Sequence, residues 1–196
     1  MNNNYFLKSK RIYLRQIEME DVPLLTKWVN DEIVTFFMFT GQKPQNSDQV
    51  AIMLKEELEA RNNVIFLAMD VKTKKPIGYT GLYDIHYTAR RAEYRALIGE
   101  KNFWGKGYGT ELAEMIIYYG FDRLNLNRIY AGYTAENKSA ARANEKAGFI
   151  YEGTLKEDIY RNSRYYDSIK VAILRKDYYQ KFYKLHSKRF KQIFIK

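Results

Sequence analysis

The sequence predicts a mixed α/β protein in which helices flank a central sheet around one three-layered core. Segments rich in branched and aromatic residues, typical of strands, are interspersed with segments whose apolar residues recur every three or four positions, typical of helices. The chain has 196 residues, which suits a single domain with a full hydrophobic core. Helices on a sheet are the simplest packing for this order of elements.

The first half of the chain predicts one strand, two helices and a three-stranded meander. Residues 11–15 alternate between polar and apolar, as in a strand, and 18–29 has helical spacing. A second helix is predicted over 46–61, with Ser47 or Asp48 as its N-cap. Three antiparallel strands are then expected over 64–69, 77–85 and 93–98.

The second half of the chain alternates between helices and strands. A wide apolar stripe that begins among glycines predicts a helix over 107–124. The elements expected after it are a strand over 128–134, a helix over 139–147 closed by Gly148, and a hairpin of 149–159 with 165–174.

The charge of the chain is concentrated at its C-terminal end. Eight basic residues and one acidic residue, Asp177, lie between Arg175 and Lys196, which accounts for most of the net charge of +10. The excess is therefore interpreted as a property of a tail over 177–196, appended to an enzyme domain over 1–176. Binding of nucleic acid through the domain itself is not favoured.

Aromatic residues in this tail follow a roughly helical spacing, so the tail is expected to form a basic amphipathic helix. Its apolar face would dock on the domain or on a second copy in a homodimer, and a membrane-surface anchor is the less favoured alternative. The aromatic positions are Tyr179, Phe182, Tyr183, Phe190 and Phe194.

Several classes of chemistry are excluded or disfavoured by composition. The chain has no cysteine, which rules out disulfides, thiolate metal sites and a cysteine nucleophile. Two histidines, His86 and His186, make a zinc site improbable, so no metal is expected. No apolar run is long enough for a membrane span, and the first residues lack signal-peptide character. A cytoplasmic location is expected.

A glycine-rich junction between strand 93–98 and helix 107–124 is the most informative segment. Gly105, Gly107 and Gly109 lack Cβ atoms, so backbone N–H groups can converge there with the positive end of the helix dipole. This predicts a site for a pyrophosphate. A Walker loop is excluded because Gly107 follows Lys106, and a Rossmann fingerprint because Thr110 replaces its third glycine. A flexible loop without a ligand is the alternative.

A second segment, over 137–149, combines Asn137 and Ala140 with the run Glu145-Lys146-Ala147-Gly148-Phe149. Together with the glycine loop it resembles the GNAT superfamily of acetyl-CoA-dependent N-acetyltransferases, whose motifs read Gln/Arg-x-x-Gly-x-Gly/Ala and Asn-x-x-(Ala/Ser)…Glu-Lys-x-Gly-Phe. The resemblance extends over nearly the whole chain except the tail. It is closest to the branch of ribosomal-protein N-terminal and spermidine acetyltransferases.

The resemblance implies a mostly antiparallel sheet whose fourth and fifth strands, 93–98 and 128–134, splay apart. Acetyl-CoA would lie in this gap, with its pantetheine arm along the first strand and its pyrophosphate on the glycine loop. Asn137 would hydrogen-bond the arm near the thioester, within the catalytic centre. The implied cofactor-binding residues are Leu97, Ile98, Gly99, Trp104, Gly105, Lys106, Gly107, Tyr108, Gly109, Thr110, Asn137 and Lys146.

Two positions depart from the family pattern. Trp104 replaces the Gln/Arg of the loop motif, and Asn144 stands where many members carry the tyrosine thought to protonate the departing thiolate. The general acid is therefore open. Candidates are Tyr133, Ser139 and Tyr166, each of which could equally be a packing or surface residue.

The amine must lose a proton before it attacks. A lysine-like amine has a pKa of about 10.4, so deprotonation at pH 7 costs roughly 4 to 5 kcal/mol. Glu93 matches the glutamate position of the resembling branch and is the expected base, acting through water with a pKa raised by partial burial. A solvated strand-end glutamate among arginines is the alternative. His86 could face the acceptor groove or lie exposed in a hairpin.

The leading hypothesis is therefore transfer of an acetyl group from acetyl-CoA to a primary amine, by direct attack in a ternary complex. A protein N-terminus, a polyamine or an amino sugar would each fit as acceptor. A non-catalytic acyl-CoA-binding sensor on the same fold is the second hypothesis, since fold alone does not establish activity. A nucleic-acid or membrane adaptor working through the tail is the third.

Overall fold

A computed structural model describes residues 5–38 and 41–190. Its eight strands form one sheet with the order β1-β2-β3-β4-β5-β6-β8-β7. All neighbours pair antiparallel except β5 and β6, which pair parallel. The strands are β1 (Leu7–Lys8), β2 (Ile12–Gln16), β3 (Val64–Asp70), β4 (Pro76–His86), β5 (Arg91–Ile98), β6 (Arg128–Thr134), β7 (Ile150–Arg161) and β8 (Arg164–Leu174).

The predicted strands are all present, and the meander and the final hairpin are confirmed. The short strand β1 was not predicted, because only two residues pair with β2 and no alternating pattern can be read over so short a segment. The two strands expected to splay are consequently the fifth and sixth of this sheet. Their residues are those that the sequence indicated.

The helices predicted within the domain are present. The helices of the structure are α1 (Val22–Val29), α2 (Glu32–Thr35), α3 (Ser47–Glu59), α4 (Tyr108–Tyr118), α5 (Lys138–Ala147), α6 (Arg175–Lys181) and α7 (Tyr183–Phe190). The short helix α2 was not predicted, and the single helix expected in the tail is two helices in the described residues, α6 and α7.

The predicted N-cap of α3 was wrong by one residue. Asn46 caps the helix: its side-chain oxygen accepts a hydrogen bond from the Gln49 N–H, and the Gln49 side chain bonds back to the Asn46 N–H. This reciprocal capping box satisfies two helix-end donors, which Ser47 inside the first turn cannot do. At the other end of the chain, Gly148 closes α5 as predicted, with φ of +99°.

Strands β5 and β6 separate after three paired positions. Arg91, Ala92 and Glu93 pair with the first three residues of β6, and no pairing continues toward Ile98. Beyond Glu93, β6 stays paired with β8 along its whole length, ending at Thr134. The expected splay is confirmed, and the gap it opens leads to the glycine-rich loop.

Two apolar clusters occupy opposite faces of the sheet and give the expected three layers. Ala92 and Tyr94 of β5 belong to the cluster beneath α4, whereas Leu97 belongs to the cluster beneath α1 and α3. Trp28 of α1 is among the largest fully buried side chains of this second cluster. The alternation along β5 therefore directs Glu93 and Arg95 to the face that carries α1, α2 and α3.

The described part of the basic C-terminal segment packs on the domain. Tyr178, His186 and Phe190 are at most 1% exposed, and Arg189 pairs with Glu114 of α4 at 2.7 Å. Phe194 and the other residues of 191–196 lie outside the described residues. The boundary between 176 and 177 stays a prediction. Within the described ranges, no helix is long and apolar enough to cross a membrane.

Candidate active site

A large cleft of about 1400 Å³ opens where β5 and β6 diverge. One end is bounded by the glycine-rich loop and α5, and the other by α2 and α3. Ten of the twelve residues expected to bind the cofactor line it: Asn137, Lys146 and eight residues of β5, the glycine loop and the start of α4. These eight are Leu97, Ile98, Trp104, Gly105, Gly107, Tyr108, Gly109 and Thr110.

Gly99 and Lys106 are the two expected cofactor residues that do not line the cleft. A Cβ atom on Gly99 would lie 2.2 Å from the Trp28 ring, so glycine is needed there for packing against α1. The Lys106 ammonium is directed back along the loop, where it donates to the Asn102 carbonyl at 2.7 Å.

The glycine loop has the backbone geometry of an anion site. Gly105 and Gly107 have φ of +70° and +80°, which glycine adopts without steric cost. Gly107 is the N-cap of α4, so the first amides of that helix lack intrahelical partners. Because these amides lie at the positive end of the helix dipole beside the cleft, they suit the pyrophosphate of CoA. Arg142 and Lys146 add positive charge along the same cleft.

Trp104, which replaces the Gln/Arg of the loop motif, links the glycine loop to β5. Its indole N–H donates to the Ile98 carbonyl at 2.8 Å. The tryptophan thus replaces a charged or amide side chain with a bond between the loop and the splayed strand. The same bond occupies one carbonyl of the segment expected to pair with the pantetheine arm.

Asn137 has a structural contact that the motif alone did not reveal. Its side-chain oxygen accepts the Ala140 N–H at 3.0 Å and caps α5. Within the described part of the chain, its Nδ2 amide has no hydrogen-bond partner. Asn137 lines the cleft, so this donor is the part of the side chain left for a ligand.

Glu93 lines the cleft where β5 and β6 part, and it is held by Arg95. The Arg95 Nε and Nη2 atoms donate to one Glu93 oxygen at 2.9 and 2.6 Å. The same guanidinium lies 4.6 Å from the centre of the Tyr83 ring and 3.5 Å from Asp84. Arg95 is thus the partner that fixes the orientation of Glu93, with 25% of the Glu93 side chain still exposed.

Glu57 of α3 is a second carboxylate in this part of the cleft, and the sequence interpretation missed it. Burial raises its pKa, the positive charge of Arg95 opposes this, and the negative charge of Asp84 adds to it. The helical spacing contained the signal, since Glu57 follows Leu54 by three residues and Val50 by seven. Both of those residues are buried, so Glu57 belongs to the inward face of α3.

The structure distinguishes the candidate general acids by whether they line the cleft. Tyr133 and Ser139 line the cleft, whereas Tyr166 is not among its lining residues. Burial, with a smaller contribution from the Glu145 carboxylate, raises the pKa of Tyr133 and keeps the phenol protonated. Asn144 is 7% exposed and also faces the cleft. His86 is exposed, is not among the lining residues, and accepts the Ala89 N–H at 3.0 Å.

The fold and the cleft define a GNAT acetyltransferase, and comparison with known proteins agrees. Residues 11–150 match the model of the acetyltransferase (GNAT) domain, so the chain belongs to that family. An uncharacterized N-acetyltransferase of Bacillus licheniformis is 31% identical over 176 residues, covering 88% of this chain and 97% of that protein. The chain is therefore an acetyl-CoA-dependent N-acetyltransferase.

Several of the similar proteins are named for the substrate that they acetylate. A spermidine N(1)-acetyltransferase of Vibrio cholerae is 29% identical over 87% of this chain and 96% of that protein. A solved structure described as spermidine N-acetyltransferase from Vibrio cholerae in complex with CoA and spermine superposes with a TM-score of 0.78. It is 28% identical and covers 86% of this chain and 98% of that chain.

Proposed function

We propose that the enzyme acetylates a primary amine of a linear polyamine, by direct attack on acetyl-CoA in a ternary complex. The observation that carries this proposal is the lining of the cleft beyond Glu93. Carboxylates at Glu32, Glu57 and Glu93 stand among apolar side chains from α1, α2 and α3, including Leu25 and Val29. Separated ammonium groups joined by methylene segments match such a surface. The similarity to spermidine acetyltransferases supports the same acceptor class.

The donor would be held by groups of the other half of the cleft. Backbone N–H groups of residues 105–110 would donate hydrogen bonds to the pyrophosphate, and the Asn137 Nδ2 amide would donate to the pantetheine arm. A backbone N–H near Ile98 would stabilise the oxyanion that forms on the thioester carbonyl. Holding amine and thioester in one cleft supplies a further part of the acceleration.

Proton transfers would be divided between two residues. Glu93 would first take one proton from the ammonium group, through water, and the neutral amine would then form its bond to the carbonyl carbon. The nitrogen releases its second proton to solvent as the tetrahedral adduct collapses to the amide. The bond between that carbon and sulfur then breaks. Tyr133, whose phenol is protonated, would give its proton to the departing thiolate. Glu57 would bind a second ammonium group of the acceptor and would not react.

Steady-state kinetics with a panel of amines tests the proposal. Release of free CoA would be followed with spermidine, spermine, an amino sugar and a peptide with a free N-terminus. We expect the polyamines to give the highest kcat/KM and intersecting double-reciprocal lines, because both substrates must be bound together. A higher kcat/KM with the sugar or the peptide would reject the polyamine. Parallel lines would reject direct transfer.

A further inference from the structure

Arg11 of the β1–β2 segment lies against the glycine loop and contacts its backbone. Its Nη1 donates to the Lys106 carbonyl at 2.7 Å, and its Nη2 donates to the Gly107 carbonyl at 3.2 Å. The guanidinium also lies 4.5 Å from the centre of the Tyr108 ring. One side chain therefore fixes two successive peptide groups at the start of α4.

The direction of these two carbonyls determines the direction of the next two amides. In a planar trans peptide the N–H of one residue points opposite to the C=O of the preceding residue. Because the carbonyls of Lys106 and Gly107 point toward Arg11, the N–H groups of Gly107 and Tyr108 point away from it. Gly107 and Tyr108 line the cleft, whereas Arg11 is not among its lining residues.

Arg11 is itself fixed by a buried carboxylate. Glu111, in the first turn of α4, is 5% exposed and accepts the Arg11 Nε at 2.6 Å and the Arg11 N–H at 3.2 Å. The Ser9 hydroxyl donates to the same carboxylate at 2.5 Å. Tyr108, stacked under Arg11, donates its hydroxyl to Asp70 at 3.0 Å. The loop is thus tied to β2 and to the end of β3.

The ion pair between Arg11 and Glu111 also reduces the repulsion between Glu111 and a bound pyrophosphate. A negative charge in the first turn suits the helix dipole, but a buried carboxylate one turn from an anion site would repel a bound pyrophosphate. The Arg11 guanidinium neutralises Glu111 without entering the cleft. The negative charge stabilises the helix end, and its field at the loop amides is largely cancelled.

We propose that Arg11, held by Glu111, is a positioning residue for the pyrophosphate of the acetyl donor. It touches no substrate and acts through the backbone carbonyls of Lys106 and Gly107. This inference rests on the proposed function, which places the pyrophosphate on the loop. It identifies Arg11 as the residue that orients the loop amides toward that pyrophosphate.

The test compares donors with and without a pyrophosphate. Arg11→Met keeps an unbranched side-chain stem and removes the three donor nitrogens, and CoA affinity is measured by calorimetry. We expect the Kd for CoA to rise about tenfold or more from the lost hydrogen bonds. The kcat/KM for acetyl-CoA should fall similarly, with most of the change in KM. The kcat/KM for S-acetylpantetheine, which has no pyrophosphate, should stay within about twofold of the wild type.

Three further variants distinguish this role from a simple folding defect. Arg11→Met combined with Glu111→Gln avoids an unpaired buried charge and should show the same donor-dependent loss. Arg15→Met is the matched control, because Arg15 lies on the adjoining strand β2 and pairs with Asp21, away from the loop. It should leave both donors unaffected, and Arg11→Lys should restore part of the CoA affinity.

Two outcomes would overturn the role of Arg11: unchanged CoA affinity in a folded Arg11→Met variant, or an equal loss with acetyl-CoA and S-acetylpantetheine. A wild-type enzyme that used both donors equally well would instead reject the pyrophosphate site itself. Calorimetry with CoA needs no acceptor, so neither outcome is confused with a wrong choice of amine.

Discussion

Three ionisable side chains line the acceptor end of the cleft, Glu57, Glu93 and Arg95, and their contacts favour different roles. Arg95 donates two hydrogen bonds to Glu93, and its guanidinium also stacks on the Tyr83 ring. Glu57 has no such tight pair, and burial raises its pKa. An oriented carboxylate at the mouth of the strand gap suits proton removal. A less solvated carboxylate further along α3 suits binding of a cation.

Substitution of Glu93 by Gln should lower kcat at pH 7 by about 100-fold while leaving the Kd for CoA nearly unchanged, because a base is removed and no donor contact is lost. The defect should shrink as the pH rises, since more of the amine is then already neutral. Substitution of Glu57 by Gln should instead raise KM for the amine. Rate profiles from pH 6 to 9 distinguish the two. A wild-type profile for Glu93→Gln would remove Glu93 from the mechanism.

Substitution of Tyr133 by Phe should lower kcat by up to about 100-fold, because the phenol that protonates the thiolate is lost. Tyr166→Phe is the matched control, since the same hydroxyl is removed from a residue outside the cleft lining. Single-turnover measurements with saturating substrates report the effect. If Tyr133→Phe were fully active and Ser139→Ala were impaired, the acid would be Ser139.

The residues of the donor site could be predicted from sequence because they lie in two short, continuous segments. Glycines, a helix start and Asn137 were readable without any tertiary contact. Glu57 was not identified, because its task depends on packing of α3 against β4 and β5, where Tyr83 and Arg95 approach it. Arg11 was predicted only as a strand residue for a similar reason, because its partners Glu111 and Lys106 are about a hundred residues away in the sequence.

At the scale of elements, the junction of β5 and α4 forms the proposed donor site. The end of β5 stays paired with β4 but has separated from β6, the loop turns through two glycines with positive φ, and the helix begins with free amides. Periodicity predicted both the strand and the helix. It could not give the parallel pairing of β5 with β6 or the point at which that pairing stops, since both depend on contacts across the sheet.

The loop geometry gives a test of charge at one position. A Cβ on Gly107 would lie 3.5 Å from Arg11, so an aspartate there would pair with the arginine. Gly105 has open space around its Cβ position and lines the cleft. Gly105→Asp should weaken CoA binding about tenfold more than Gly105→Asn, because both residues tolerate positive φ and differ in charge. Equal Kd values for the two variants in calorimetry would place the pyrophosphate elsewhere.

At the scale of the whole molecule, the described part of the basic C-terminal segment, up to Phe190, packs into the core. The net charge pattern predicted a tail, and the aromatic spacing predicted a docked helix; in the described residues the packing follows the aromatic spacing. Lysines of α6 and α7 keep the exposed face basic while Tyr178 and Phe190 are buried beneath them. Charge alone could not reveal this, because long cationic side chains cover apolar surface and keep their charged ends in water.

His186 makes this docking sensitive to pH. Its side chain is fully buried, and within the described part of the chain neither ring nitrogen has a hydrogen-bond partner. Burial, with a smaller effect of Arg189, lowers the pKa of His186 to about 4. Glu114 of α4 lies 4.0 Å from its Nε2, and burial raises the pKa of that carboxyl.

The sign of the resulting pH dependence follows from the proton bound by each state. An unfolded histidine titrates near pH 6.5, so between about pH 6.5 and 4 the unfolded chain binds a proton that the folded protein excludes. Stability from this residue is therefore fully present above pH 6.5 and is lost as the pH falls toward 4. Glu114 has the opposite sign, and it is retained when His186 alone is replaced.

Substitution of His186 by Phe should remove the histidine contribution without opening a cavity, since the surrounding side chains include Phe182 and Phe190. From pH 7 to pH 5, the free energy of unfolding of the wild type should fall by roughly 2 kcal/mol more than that of the variant. Urea titrations at the two pH values measure this difference. Equal losses in both proteins would mean that His186 is protonated, or solvated, in the folded state. A stable variant that retains acetyl transfer would confirm that this buried histidine serves the docking of α7 alone and no chemistry in the cleft.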